Sequence, residues 1–263
     1  MNNTIYAVDY GNSRILVWHE NSTNPINTIS GSFFQPMSLF VTLNGDIYFD
    51  DGKHNGRVRK WIAKTALFAN VMTVSSSCFS LFVDTNDTLY CSIFDHHRVV
   101  KRSLNDAEIS SNILAAGTGF PGSASNELKA PAGIFVDVNF DLYVADWEND
   151  RIQFFRSGES NGITVAGRGS PNPTIDLFKP VAIVLDAEKY LFIVDQLNHR
   201  IVGSSLNGFR CLFGCSDGGP HSFRLQDPSG LHFDRSGNIF VVDFANYRIQ
   251  KVQYVEKSCG TSL

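Results

Sequence analysis

Short apolar runs separated by polar clusters recur along the chain in a fixed order, with no helical periodicity long enough to compete. The stretch DLYVADWENDRIQFF (141–155) shows the unit: alternation through Leu142–Ala145, a polar turn, and a second apolar run. Alone it reads as a β-hairpin. Five more stretches align with it over their full length: TIYAVDYGNSRILVW (4–18), DIYFDDGKHNGRVRKW (46–61, one residue longer), TLYCSIFDHHRVVKR (88–102), YLFIVDQLNHRIVGS (190–204) and NIFVVDFANYRIQKV (238–252). Their shared core is an apolar-aromatic pair, an Asp, an Asn and an Arg followed by Ile or Val. The Arg column falls at Arg14, Arg57, Arg98, Arg151, Arg200 and Arg248, with spacings of 43, 41, 53, 49 and 48 residues. A unit of that length accommodates four short strands with their turns.

Each later copy is preceded by another apolar run: SLFVT (38–42), SLFVD (80–84), GIFVD (133–137), AIVLD (182–186) and GLHFD (230–234). These runs are apolar at nearly every position, which predicts an innermost strand covered on both faces by neighbouring sheets. A fourth strand is predicted after the Arg run, as in NILAAG (112–117), GITVAG (162–167) and FRCLFG (209–214). Loops rich in Gly, Pro and Ser then return the chain to the centre. Four antiparallel strands repeated radially make an all-β, six-bladed β-propeller, read here as one domain over 1–263. The repeat phase starts at the second strand of the first unit and stops after the third strand of the last. The first and last blades are therefore expected to be incomplete, and the chain to be part of a longer one whose flanks supply the missing strands.

The combination of P-x-G-[IL]-x-[VF]-D, then [IL]-[YF]-V-x-D, then N-x-R-I-Q resembles the NHL repeat, and the resemblance covers essentially the whole chain. Units 4 and 6 carry it in full, as PAGIFVD with LYVADWENDRIQ and PSGLHFD with IFVVDFANYRIQ. Unit 3 departs most, with Ile93 in the Asp column and His96 in the Asn column. The remaining columns hold Asp9, Asn12 and Arg14; Asn55 and Arg57; Asp146, Asn149 and Arg151; Asp195, Asn198 and Arg200; and Asp243, Asn246 and Arg248. These residues are expected to be structural. Asp and Asn can close the turn between second and third strands by side-chain hydrogen bonds. The Arg stem can lie along a neighbouring sheet while its head reaches carbonyls or carboxylates.

Composition narrows the function classes. With 43% hydrophobic residues and 21 Phe there is ample core, and no apolar stretch is long enough to span a membrane. A net charge of −4 argues against a general nucleic-acid binder. Local basic clusters at Arg57–Lys60 and His97–Arg102 read as solvated strand charge, without interleaved aromatics for base stacking. Among the five cysteines, Cys211 with Cys215 and Cys78 with Cys91 are disulfide candidates, leaving Cys259 over. The second pair raises a difficulty. If Asp84 faces Thr88, Cys91 stands opposite Leu81 rather than Cys78, so a bulge or slipped register is required. Cysteine usage points to an extracellular protein or an ectodomain.

Nearly every repeated residue has a structural explanation, so the leading expectation is a monomeric, non-catalytic scaffold whose loops bind a protein, peptide or glycan. No cofactor is expected, with zinc or calcium in the central channel left open. Two other readings follow from related propellers. One is a metal-dependent channel enzyme of the peptidyl-hydroxyglycine lyase or lactonase type; the other is an intracellular NHL module of a ubiquitin ligase or kinase. A catalytic zinc needs about three converging ligands. The inner-strand entries 36–38, 78–80, 131–133, 180–182 and 228–230 contain no His. His232, inside an inner strand, reads as a hydrogen-bonded core residue in preference to a channel ligand. The recurring Asp84, Asp137, Asp186 and Asp234 suggest turn chemistry, because a binding site should break the repeat's symmetry.

Overall fold

The structure, a computed structural model, describes residues 4–20, 22–52, 55–171, 174–215 and 224–253. Six antiparallel sheets form a six-bladed β-propeller. Blade 1 contains β1 (Thr4–Asp9), β2 (Arg14–His19) and β3 (Asn27–Ser30). Blade 2 contains β4 (Leu39–Val41), β5 (Ile47–Asp50), β6 (Arg57–Ile62) and β7 (Leu67–Thr73). Blade 3 contains β8 (Ser80–Val83), β9 (Thr88–Ile93), β10 (Arg98–Ser103) and β11 (Ile113–Gly117). Blade 4 contains β12 (Pro131–Val136), β13 (Leu142–Asp146), β14 (Arg151–Phe155) and β15 (Ile163–Gly167). Blade 5 contains β16 (Pro180–Leu185), β17 (Leu191–Asp195), β18 (Arg200–Ser205) and β19 (Gly208–Phe213). Blade 6 contains β20 (Pro228–Phe233), β21 (Ile239–Asp243) and β22 (Arg248–Val252). Among the described residues the first and last blades thus have three strands each, and each strand pairs with its sequence neighbours.

The core is divided into five apolar clusters, one between each consecutive pair of blades from 1 to 6. Face-to-face packing of sheets requires apolar side chains on both faces of every middle blade. At the remaining seam, between blades 6 and 1, Lys251 on β22 pairs with Glu20 beside β2.

The runs placed innermost are innermost: β8 touches β4 and β12, β12 touches β16, and β16 touches β20. They are not everywhere the most buried strands, however. In blades 2, 3 and 5 the second strands are more buried, with β17 buried at all five positions and β5 at all four. An innermost strand borders the central channel, so part of its surface stays open. Phe40, Phe82, Phe135, Val184 and His232 occupy equivalent positions on β4, β8, β12, β16 and β20. The first four are half-buried, and Phe40 and Phe135 each rest their rings on Phe82, at 5.1 and 5.2 Å. At this level the inner strands of blades 2 to 5 present apolar side chains. His232 departs from the core reading: it is exposed, and its Nδ1 lies 2.7 Å from the Phe233 carbonyl. β20 has an innermost neighbour on one side only among the described residues, which leaves this side chain uncovered.

The chain forms two disulfides. Cys211–Cys215 closes a four-residue separation at the end of β19. Cys78–Cys91 is fully buried, with α-carbons 5.2 Å apart, even though Cys91 does stand opposite Leu81. The reason is a bulge at the strand entry. The Phe79 N–H donates to the Ser92 carbonyl and the Ser80 N–H to Ser92 Oγ, so two residues share one partner and the chain before them swings toward Cys91. Cys259 lies outside the described residues.

Candidate functional site: the two faces of the disc

Strand direction assigns every connection to one of two faces. The turns between second and third strands, and the loops from each blade to the next, share one face, here the turn face. The hairpins between first and second strands, and between third and fourth, share the other.

On the turn face the Asp, Asn and Arg columns converge. In blade 4, Arg151 Nε and Asn149 Nδ2 both donate to Asp146 Oδ2 at 2.7 Å. In blade 5, Arg200 and Asn198 donate to Asp195 Oδ2 at 2.7 and 2.9 Å. Blade 6 repeats this with Arg248 and Asn246 on Asp243, at 2.7 and 2.9 Å. Blade 1 does so with Arg14 and Asn12 on Asp9, Asn12 reaching Oδ1 at 2.9 Å. The other carboxylate oxygen accepts the Lys129, Phe178 or Gln226 amide from the loop entering the same blade. In blades 4 to 6 the node therefore ties a turn to an inner-strand entry. Burial pushes Asp146 above the ordinary carboxyl range despite Arg151. At Asp243 the Gln226 amide, Asn246, Arg248 and Gln250 overcome the burial penalty and lower it.

Blade 2 has one more turn residue, and the node changes accordingly. Arg57 Nε still pairs with Asp51, but Asn55 Nδ2 now donates to the Asp51 carbonyl, at 2.7 Å. Asp50 is an added buried acid. It accepts the Gly52 and Cys78 amides at 3.0 and 2.9 Å without an ion-pair partner among the described residues, and burial pushes it up to about 6. Gly52 is required here: its φ is +91°, and an added Cβ would lie 1.6 Å from the Phe34 carbonyl.

Blade 3 breaks the node. Ile93 offers no carboxylate, His96 Nδ1 sits 2.6 Å from Ser75 Oγ, and Arg98 bonds only Ser75 Oγ, at 3.3 Å, among the described residues. The position between Asn and Arg, unassigned by the repeat pattern, links blades: Ser13, His97, Asp150 and His199 accept the Gln35, Ala130, Lys179 and Asp227 amides of the next loop.

The first residue of each turn was also missed, although its signal is visible in the alignment. It is aromatic in four of the six units: Tyr10, Phe94, Trp147 and Phe244. Phe94 stacks on Phe79 at 5.3 Å and meets Trp147 at 5.5 Å, and Trp147 Nε1 donates to Gln196 at 3.0 Å. Lys179 Nζ stands 4.3 Å over the Trp147 ring. The blade-to-blade loops extend this surface. Tyr10, Phe34, Phe120, Phe178, Phe244 and Tyr247 are all the exposed aromatics among the described residues, and every one lies on the turn face.

The opposite face has another character. Asp84, Asp137, Asp186 and Asp234 each cap a hairpin through Oδ1. Asp137, for example, accepts the Asn139 and Asp141 amides at 2.8 and 3.0 Å, and the others repeat the pattern. Its exposed apolar residues are scattered aliphatics such as Leu43, Val138 and Leu206. Among the described residues no three His, Cys, Asp or Glu side chains converge as metal ligands, and no helix is long and apolar enough to cross a membrane. His54 and His221 lie outside the described residues.

No family model matches the sequence, and no curated protein matches it. Among solved structures the chain is similar to a protein of unknown function from Bacteroides thetaiotaomicron, at 16% identity and TM-score 0.73, covering 95% of this chain and 66% of that one. It is also similar to a streptogramin B lyase, at 15% identity and TM-score 0.65, covering 97% of this chain and 80% of that one. A chain of a nidogen/laminin complex matches at 15% identity and TM-score 0.65, covering 95% of this chain and 93% of that one. These likenesses place the chain among the β-propellers, a fold that carries binding proteins and a lyase alike.

Proposed function

We propose that the chain is a single NHL-type propeller domain acting as a non-catalytic binding module, with the turn face as its docking surface. The observation that carries this reading is the segregation to that face of all the exposed aromatics among the described residues. Aromatic side chains supply large, rigid contact area, and are enriched where proteins bind one another. The Asp, Asn and Arg columns are structural in this account: they hold the turns in place beneath the aromatic rims. The two disulfides support an extracellular setting or an ectodomain, and the partner is a protein, peptide or glycan rather than a nucleic acid. The apolar Phe40, Phe82, Phe135 and Val184 at equivalent inner-strand positions support this reading over a channel metalloenzyme.

The test is a screen of peptide and glycan arrays, with each hit titrated against two triple variants. Phe34→Ser, Phe178→Ser and Phe244→Ser alter the turn face; Leu43→Ser, Val138→Ser and Leu206→Ser alter the other. The turn-face variant should weaken binding at least about ten-fold, the level expected for loss of central aromatic contacts, and the other should leave it unchanged. Equal losses in both, or about one metal ion per purified chain with hydrolytic or lyase turnover, would overturn the reading.

A further inference from the structure

The broken node in blade 3 opens a cleft. Between the outer strands of blades 2 and 3 lies a cavity of about 310 Å³. Ser75, Arg98, Ser110 and Asn112 supply its polar wall, and Ile93, Val100 and Leu114 its apolar floor. Two buried polar atoms on this wall have no hydrogen-bond partner in the structure: Arg98 Nε, a donor, and Asn112 Oδ1, an acceptor. Buried groups left in this state are costly, and in a native protein they call for a specific cause.

The equivalent arginines show what is missing. Arg151 Nε reaches Asp146, while its terminal nitrogens reach the Ser123, Ala124 and Glu127 carbonyls in the long loop 118–130. Arg200 and Arg248 likewise bond a carboxylate and a carbonyl of the loop entering their blade. Blade 3 loses both kinds of partner. Ile93 replaces the Asp, and the loop entering the blade is shortened to 74–79, which brings only Ser75 Oγ to the guanidinium. The fork that receives a carboxylate in the five other blades thus faces a cleft.

We infer that this cleft binds a small organic acid. Its carboxylate takes the place of the absent Asp on Arg98, in a charge-assisted pairing that suits the guanidinium fork. A hydroxyl on the same ligand donates to Asn112 Oδ1, with Ser75 and Ser110 beside it, and the carbon skeleton lies on Ile93, Val100 and Leu114. The volume falls at the small end of ligand sites, which fits a hydroxy acid or a single acidic sugar.

The experiment is a ligand-observed NMR titration of the folded chain with lactate, glucuronate and glucose as probes. The wild-type protein should bind at least one of the two acids saturably, with glucose at least about ten-fold weaker. Lactate alone would mark a site for short acids, and glucuronate alone one for acidic sugars. Ile93→Asp rebuilds the node of the other blades, so its own carboxylate should occupy Arg98 and weaken the acid at least about ten-fold. Arg98→Gln should do the same and guards against misfolding of the first variant. Absence of saturable binding by both acids, or unchanged binding in a folded Ile93→Asp or Arg98→Gln protein, would overturn the assignment. Because these substitutions leave the exposed aromatics untouched, array hits on the turn face should survive them, separating this site from that surface.

Discussion

The two faces of the disc are built from the same strands yet differ in what they hold. On the hairpin face, each Asp caps two amides of its own turn through one oxygen, Lys189 Nζ of blade 5 reaches Asp137 at 2.6 Å, and the exposed apolar residues are scattered. On the turn face, the carboxylates join a turn, an arginine and the loop entering the blade, and aromatic side chains project above them. Capping within each turn leaves a hairpin less tied to its neighbours. The nodes instead brace one surface, and a braced surface can display aromatic side chains in fixed positions at a low ordering cost.

The first way to break this contrast is to remove a node. Arg151→Ala leaves the buried Asp146 carboxylate without its counter-charge and three loop carbonyls without their donor, and should cost about 3–5 kcal/mol in urea unfolding. Arg14→Ala, whose side chain is 41% exposed, should cost no more than about 1 kcal/mol. Replacing Cys78 and Cys91 by Ala should cost about 3 kcal/mol, since the pair closes a 13-residue separation beneath the turn face, and more than the same change at Cys211 and Cys215.

Asp50 gives the turn face a pH dependence. Burial raises it from 3.8 to about 6, so the folded state holds this proton where the unfolded chain has released it. Its contribution is therefore full below about pH 4 and is lost as pH rises toward 6, by at most about 3 kcal/mol. Asp50→Asn should remove that part of the slope in urea titrations between pH 4 and 7; an unchanged slope would place the titrating group elsewhere. On the hairpin face, Asp137→Ala removes a local cap and the pairing with the half-exposed Lys189 of blade 5, and should cost about 1–2 kcal/mol. The smallest effects are expected from Phe34→Ser, Phe178→Ser and Phe244→Ser taken singly, each shifting the unfolding midpoint by the equivalent of about 0.5 kcal/mol or less. A much larger loss would mean that these side chains serve the fold.

The blades were legible because the repeat is written in strand period and turn residues, both local properties. The departure of unit 3 was legible too, in Ile93 and His96. Its consequence was not, because the cleft at Arg98 also depends on the shortened loop 74–79 and on β7 of the adjoining blade. The Cys78–Cys91 register was read correctly, but the bulge that reconciles it depends on Ser92, a partner across the sheet. His232 was misjudged because its exposure depends on a neighbour across the seam. The aromatic turn position is legible in Tyr10, Phe94, Trp147 and Phe244, directly after the Asp column.

The most direct test of the turn-face claim is hydrogen–deuterium exchange of the chain with and without a saturating array hit. Protection should gather in the loops 31–38, 118–130 and 168–179 and in the turns 10–13, 147–150 and 244–247. Protection centred instead on the hairpins 42–46, 84–87, 137–141 and 186–190 would contradict the account.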